Sequence, residues 1–413
     1  MSATVTKDEK IIDLMKKHPT AFTSLEFFPP RTAEGVSNLR QRIVRMKSNC
    51  LPVFMDVTWG AGGSTSSLTM DLVRFIKEQG CVANMHLTCT NMDPELIEQA
   101  LADARKYGIT NIVALRGDAP EGEGEWKKKE GGFECARDLV DFIKREYGDE
   151  FGISVAGYPE GHPNSITVLE EGDEMKLTAS EKLRCSTSTD PTTSKSKTCV
   201  CYDSDYAAEM SYLKSKVDAG ADFVITQMFF DSDVFSMFVS DCRECGISVP
   251  IVPGIMCINN YEGFFRMTGF CKTRVPKKVV SDMEKIKHDD KALKEYGVKF
   301  GTEMCMKLVN LGVPCVHFYT LNLEKVVYGI LDGLGWTTEL SRSIEGVDKD
   351  EIMMKAVGSK WAREGDEVIS MFGKGIVKEI RPNGAAVITM KSWKLAFGQE
   401  PTAVLQAGTF KKV

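Results

Sequence analysis

Eight short apolar segments, each followed by a stretch of helical spacing, recur over the first roughly 340 residues and constrain this chain more than any other feature. They are the run ending at Glu26-Phe27-Phe28, then residues 53–58, 82–88, 111–116, 153–158, 222–227, 249–254 and 314–321. After the first, Val36, Leu39, Ile43 and Met46 fall on one helical face of residues 34–48. Helical spacing returns at 67–78, 94–107 (with Asp93 as N-cap), 133–147, 206–219, 232–245, 261–271, 279–311 and 323–334, and an amphipathic helix at 7–17 precedes them all. Strand–helix alternation demands a parallel sheet with right-handed crossovers. Eight units in this length fit a closed (β/α)₈ TIM barrel of the α/β class better than an open sheet.

Two segments break the alternation. Residues 166–205 interrupt the fifth connection with a Ser-, Thr- and Lys-rich stretch, whose composition is that of a partly disordered insertion. Beyond the barrel (residues 1–340) and a polar linker (341–352), residues 353–413 carry short strands near 365–369, 375–377, 385–390 and 403–405. Pro382-Asn383-Gly384 is a hairpin turn signal, so the tail reads as a small all-β, SH3-like module of open role.

Bulk properties exclude several classes. With 52 basic and 58 acidic residues the net charge is −6, which argues against nucleic acid as the main partner. No apolar run approaches the roughly 18 residues of a membrane span, and MSATVTKDEK lacks an apolar signal core. Thirteen cysteines lie in unlike contexts, which suits a reducing cytoplasm better than a disulfide framework. Cys242-Arg243-Glu244-Cys245 and Cys199-Val200-Cys201 fall short of a four-ligand zinc pattern, so no metal site is expected. Neither GxxxxGK[ST] nor a correctly spaced GxGxxG occurs, so any nucleotide belongs on the barrel's top face. A homo-oligomer is compatible with all of this.

Barrel chemistry is built at the C-terminal ends of strands. Those ends carry Glu26, Thr58, His86, Arg116 with Asp118, Tyr158 with His162, Gln227 and Tyr319. Taken singly, each has a bland explanation: a turn-capping Thr, a satisfied core His, a buried amide. Polar groups at nearly every strand end fit that explanation less well. Glu26 stands out because Pro29 and Pro30 stop its strand just after it. A carboxyl group partly desolvated at such a rim is a candidate general acid near neutral pH.

The same residues carry a resemblance. Glu26-Phe27-Phe28-Pro29-Pro30-Arg31, Val57-Thr58-Trp59-Gly60-Ala61, His86-Leu87-Thr88-Cys89, Leu115-Arg116-Gly117-Asp118, Gly157-Tyr158-Pro159 with His162-Pro163, Thr226-Gln227-Met228-Phe229-Phe230 and His317-Phe318-Tyr319-Thr320-Leu321-Asn322 stand in order over residues 10–335. In this the chain resembles the catalytic barrel of methylenetetrahydrofolate reductases. The resemblance implies a flavoprotein that passes hydride from NADPH or NADH through flavin N5 to 5,10-methylenetetrahydrofolate, giving 5-methyltetrahydrofolate for methionine synthesis. It implies FAD contacts at Thr58, Trp59, His86, Arg116, Gly117, Asp118, Cys135, Ala136, Tyr158, His162, Pro163, Asn164, Ser165, Glu209, Lys216 and Ala221. Folate contacts would be Glu26, Asp118, Gln227 and Tyr319, with Glu26 as general acid and Asp118 stabilising the cationic folate.

Departures from the family pattern are Glu209 where an Asp is common and Leu323 where an Arg usually meets the folate tail. The tail is also too short for the S-adenosylmethionine-binding domain of eukaryotic members, so feedback inhibition by that ligand is not expected. Competing readings are another FAD-dependent barrel oxidoreductase of the proline dehydrogenase kind, and a catalytically inactive folate- or flavin-binding protein.

Overall fold

A computed structural model describes residues 6–18, 21–60, 63–117, 129–169, 173–189, 196–336, 365–370, 373–380, 386–391, 402–405 and 410–412. The chain divides into two units, Met1–Ile330 and Leu331–Val413. In the first, α1 (Ile11–Lys17) leads into β1 (Phe22–Phe27), α2 (Ala33–Cys50), β2 (Phe54–Val57), α3 (Ser66–Glu78), β3 (Val82–Thr88), α4 (Pro94–Tyr107), β4 (Asn111–Leu115), α5 (Ala136–Tyr147) and β5 (Gly152–Gly157). The fifth connection holds β6 (Thr167–Val168), α6 (Ala179–Arg184), β7 (Ser186–Thr189) and β8 (Ser196–Val200). The chain continues through α7 (Asp203–Asp218), β9 (Phe223–Thr226), α8 (Ser232–Glu244), β10 (Ile251–Val252), β11 (Gly254–Met256), α9 (Tyr261–Phe270), α10 (Lys277–Ile286), α11 (Asp290–Asn310), β12 (Cys315–Tyr319) and α12 (Lys325–Gly333).

All the barrel strands pair in parallel, in the order β10-β9-β5-β4-β3-β2-β1-β12-β11. The two ends of that order are halves of one strand. Pro253, which has no N–H to donate, separates them: β10 pairs with β9 on one side and β11 with β12 on the other. His317 N donates to Pro253 O at 3.0 Å, and Gly254 N donates to Thr226 Oγ1 at 3.0 Å, so the split strand closes the barrel. The expected (β/α)₈ fold is thus the observed one, with its seventh strand broken in two.

One end of the barrel is plugged. Ile11 and Met15 of α1 pack on Phe22, Phe54, Val113, Phe223, Val252 and Cys315 at the strand starts. Phe54 meets Phe22 and Phe223 edge-on, with centroids 6.4 and 6.3 Å apart. Asn111 Oδ1 accepts the Ile11 N–H at 2.8 Å and fixes the plug. The opposite end, where the strands finish, is left for chemistry.

Two sequence expectations need correction. The helical stretch at 279–311 is two helices, because Asp289 caps a new one, its side chain accepting from Lys291 N and Ala292 N, each at 3.0 Å. The 166–205 segment, expected to be partly disordered, folds over its described residues into a three-stranded antiparallel sheet in the order β6-β8-β7. A capping box joins Thr178 and Glu181 at the start of α6. The buried Arg184 pairs with Asp203 and donates to Cys201 O, anchoring that helix on the start of α7.

In the second unit, β13 (Glu367–Ser370), β14 (Gly373–Ile380), β15 (Ala386–Met390), β16 (Thr402–Leu405) and β17 (Phe410–Lys412) form an antiparallel sheet in the order β16-β15-β14-β13-β17. Val368, Val377, Ala386 and Ile388 are buried in it. The proposed linker at 341–352 and the turn at 382–384 lie outside the described residues.

Candidate active site

Period-two side-chain alternation sends Ser24 and Glu26 of β1 to the same face, and likewise Asn84 and His86 of β3 and His317 and Tyr319 of β12. With Asp56 of β2 they converge inside the barrel near its open end. Glu26 Oε2 lies 3.4 Å from His86 Nε2 and 3.4 Å from His317 Nε2. His86 Nε2 is also 3.2 Å from Asp56 Oδ2, which accepts from Asn84 Nδ2 at 3.1 Å. Ser24 Oγ meets His317 Nδ1 at 2.8 Å, and the His317 ring stacks on Phe54 at 6.1 Å and 18°.

Electrostatics follows from this packing. Burial pushes the Asp56 carboxyl up, while His317 and His86 pull it back. Burial on its own lowers His86, but the Glu26 charge and the Asp56 hydrogen bond outweigh it, and the imidazole holds its proton above its ordinary range. Burial and the nearby carboxylates keep the Tyr319 phenol protonated, and its hydroxyl donates to Thr226 O at 2.6 Å. Glu26, Asp56 and His317 each bring one ligand atom within 4.8 Å of the others, and each of the three also has protein hydrogen-bond partners.

Other expected site residues form a band around the same end. Thr58 N donates to Phe27 O at 2.9 Å, and Trp59 is buried with its Nε1 lacking an acceptor among the described residues. Gly117 has φ +87°, and a Cβ there would sit 2.8 Å from Thr88 Cβ. Arg116 flanks it, Cys135 caps α5, and Ala136 opens that helix. The ring of Tyr158 meets His162 edge-on at 4.8 Å. His162 Nδ1 accepts from Asn164 N at 3.1 Å at the head of the short turn Pro163–Ser165. Ser165 Oγ donates to Glu209 Oε1 at 2.6 Å. Lys216, in the last turn of α7, is buried and donates to Ala156 O at 2.6 Å, and desolvation brings it down to about 8. Ala221 is buried at the entry to β9. Gln227 follows β9 and accepts its neighbour's N–H, from Met228, at 2.9 Å. Asp118 lies outside the described residues.

Glu26 and His86 therefore come together, as do Ser165 with Glu209 and Tyr158 with His162. Sequence reading did not single out Asp56, His317, Ser24 and Asn84 as site residues, because it took one or two polar groups from each strand end and the loop beyond it. The signal was there: Asp56 and His317 are polar residues in otherwise apolar strands, two positions before Thr58 and Tyr319. A separate cleft of about 740 Å³, lined by Ile12, Met15, Arg243, Pro250 and Pro314, opens at the strand starts, away from this cluster.

Comparison with known sequences decides the family. The family model described as "Methylenetetrahydrofolate reductase" matches residues 10–335. The chain belongs to the methylenetetrahydrofolate reductase family. Among reductases of this family it is similar to "Methylenetetrahydrofolate reductase (NADH) 1" of Zea mays, 47% identical over 332 residues that make up 80% of this chain and 51% of the maize protein. A "Probable methylenetetrahydrofolate reductase (NADPH)" of Caenorhabditis elegans is 35% identical over 81% of this chain and 45% of its own. The "5,10-methylenetetrahydrofolate reductase" of Pectobacterium carotovorum is 33% identical over 77% of this chain and 92% of its own. The chain thus spans about half the length of the plant relative and nearly all of the bacterial one.

The loop that leads to His162 is held by a buried acid. Arg274 N donates to Glu160 Oε2 at 2.6 Å, while Oε1 is buried without a partner among the described residues. Lys272 Nζ donates to Pro163 O and Ile166 O, each at 2.7 Å, so the segment after α9 clamps this loop. Burial pushes Glu160 up to about 8 from 4.5, against the pull of Arg274. A raised carboxyl stabilises the fold fully below its unfolded value, and that contribution is lost as pH rises from about 4.5 through about 8. The loss is on the order of 3 kcal/mol at pH 7. Glu160→Gln should therefore gain thermal stability relative to the unsubstituted protein between pH 5 and pH 8. Melting curves at both pH values check it; an unchanged difference in Tm would mean that Glu160 is not held neutral.

Proposed function

We propose that this protein reduces 5,10-methylenetetrahydrofolate to 5-methyltetrahydrofolate with FAD as cofactor and NADH or NADPH as electron donor. The observation that carries the reading is Glu26. Its carboxylate is mostly buried at the C-terminal end of β1, between two imidazoles, in a barrel of this family. Reducing the methylene bridge requires opening a five-membered ring at a carbon–nitrogen bond, and that needs a proton at the leaving nitrogen.

The residues present fit FAD. Trp59 Nε1 is a buried donor with no acceptor among the described residues, at the end of the barrel where the strands finish. Thr58, Trp59, His86, Arg116, Gly117, Asp118, Cys135, Ala136, Tyr158, His162–Ser165, Glu209, Lys216 and Ala221 would hold it. When bound, flavin supplies the hydride chemistry, and the protein binds and orients. Glu26 holds the proton and delivers it to the folate amine. Asp118 stabilises the cationic folate, and Gln227 offers an amide donor and acceptor to the pterin edge. Tyr319, its hydroxyl fixed on Thr226 O, presents a ring as a wall to the substrate.

The test is anaerobic absorbance spectroscopy of the purified protein. A flavin spectrum bleached by NADH or NADPH and restored by methylenetetrahydrofolate supports the proposal. Restoration by a quinone but not by the folate favours the proline dehydrogenase kind of enzyme, and a spectrum that neither nucleotide bleaches favours an inactive binding protein.

Leu323 bears on the substrate's tail. It is 40% exposed just beyond β12, with its N–H bonded to Thr320 O at 2.9 Å. Leu323→Arg should add a charge-assisted contact to a glutamate carboxylate and lower KM for the folate several-fold. KM for the nicotinamide nucleotide should stay put. Steady-state kinetics decides it, and an unchanged folate KM places the tail elsewhere.

A further inference from the structure

Helix α9 ends in the same backbone turn as α3, α8 and α11. In each, the residue after the C-cap takes a positive φ and its N–H bonds back to the helix: Gly80 (φ +75°), Gly246 (φ +78°), Gly312 (φ +82°) and, after α9, Lys272 (φ +51°). Glycine suits this position because a Cβ strains a left-handed backbone. A lysine in its place points to work done by the side chain.

Both bonds of that side chain go to one turn. Lys272 Nζ donates to Pro163 O and to Ile166 O, each at 2.7 Å, and no carboxylate among the described residues pairs with it. The turn so gripped is Pro163–Ser165, which with His162 carries contacts proposed above for FAD. Three residues do little to close it themselves. Ser165 N donates to His162 O at 2.8 Å, but Ile166 N reaches Pro163 O only at 3.4 Å. Lys272 spans the two ends and reinforces the weak closure.

The lysine stands on fixed ground. Thr273 is buried, and its N–H bonds to Thr268 O at 2.9 Å. Arg274 pairs with Asp231, the cap of α8, while its backbone N–H holds Glu160. Cys271 and Val275 pack on the core cluster of Met228, Phe230 and Phe264. A turn tied to this segment is tied to the core just beyond Gln227.

A ligand that needs one loop conformation binds more weakly in proportion to the time the loop spends elsewhere. We propose that Lys272 is a positioning residue for the cofactor: it holds the Pro163–Ser165 turn in the form that receives FAD. The inference rests on the reading of this protein as an FAD enzyme.

The experiment titrates FAD into the flavin-free protein, followed by flavin fluorescence, for the unsubstituted chain and for Lys272→Gly, Lys272→Asn and Lys272→Arg. Glycine and asparagine both suit a positive φ, and neither is long enough to reach the turn. Their Kd for FAD should rise roughly tenfold to a hundredfold. Without flavin they should melt within about 4 °C of the unsubstituted protein, because the relaxed backbone offsets the lost bonds. Arginine keeps the charge and the reach, so its Kd should stay within about threefold of the unsubstituted value. Unchanged affinity in the glycine and asparagine variants overturns the proposal. So does a flavin-free melting point that falls together with affinity, or a failure of both variants to fold, since the lysine then serves the fold and not the cofactor. An arginine variant as weak as the glycine one overturns it as well. Unsubstituted protein that takes up no FAD removes the functional reading and this inference together; FAD taken up by all four proteins with one Kd removes this inference alone.

Discussion

Glu26→Gln should still bind FAD and still bleach with NADH or NADPH within about tenfold, while reoxidation of its flavin by methylenetetrahydrofolate slows by roughly 10²–10⁴. That loss corresponds to about 3–5 kcal/mol of barrier. The asymmetry arises because only the folate half of the reaction breaks a carbon–nitrogen bond. Hydride transfer from a nicotinamide needs alignment but no protein acid. Glutamine keeps the size of Glu26 and can still accept from His86 or His317, now 3.4 Å away, so the cluster should stay assembled. Stopped-flow absorbance separates the two halves. Equal slowing of both would make Glu26 a residue that holds geometry, and no slowing in either would put the proton elsewhere.

Gly254→Ala should destabilise the barrel by about 3 kcal/mol or more. A Cβ at this position would lie 2.3 Å from Thr226 O, 2.5 Å from Tyr319 Cε2 and 2.7 Å from Tyr319 Oη. The backbone oxygen cannot swing aside, since it accepts the Tyr319 hydroxyl at 2.6 Å. Gly254 also follows Pro253 at the break where the barrel closes, so the strain falls on the joint between β9 and β12. Gly269→Ala, in α9 where a Cβ would meet nothing within 4 Å, is the control and should be as stable as the unsubstituted protein or more stable by up to about 1 kcal/mol. Denaturation in urea measures both. A Gly254→Ala variant as stable as the control would mean that Tyr319 does not cross the closing strand as described.

The barrel was legible in the sequence because its signal is periodic and repeated: β3 and α4 were placed to the residue, and the remaining barrel strands nearly so. The break at Pro253 was not, since a proline at a strand end and a proline within a split strand look alike in one dimension. The 166–205 segment misled through composition. Its Ser and Thr residues fit a short hairpin, in which Thr187 pairs with Thr198 and Ser188 with Lys197, as well as they fit a flexible loop. Strand β17 is three residues long, two of them lysines, and has no apolar pattern to read. At the site, Glu26 was found because two prolines mark its strand end. Asp56 and His317 were missed because their role depends on register between β1, β2 and β12, which a single strand does not reveal. Family resemblance supplied the FAD contacts, yet it gave no hint that Asp56 underlies His86.

The most direct measurement is a single turnover. The purified protein, its flavin reduced anaerobically by one equivalent of NADH, is mixed with 5,10-methylenetetrahydrofolate, and the products are identified by mass spectrometry. One 5-methyltetrahydrofolate should form per flavin reoxidised, with Glu26→Gln reduced by nucleotide but yielding product orders of magnitude more slowly. Flavin that stays reduced in the presence of the folate, or is reoxidised without forming 5-methyltetrahydrofolate, would contradict it.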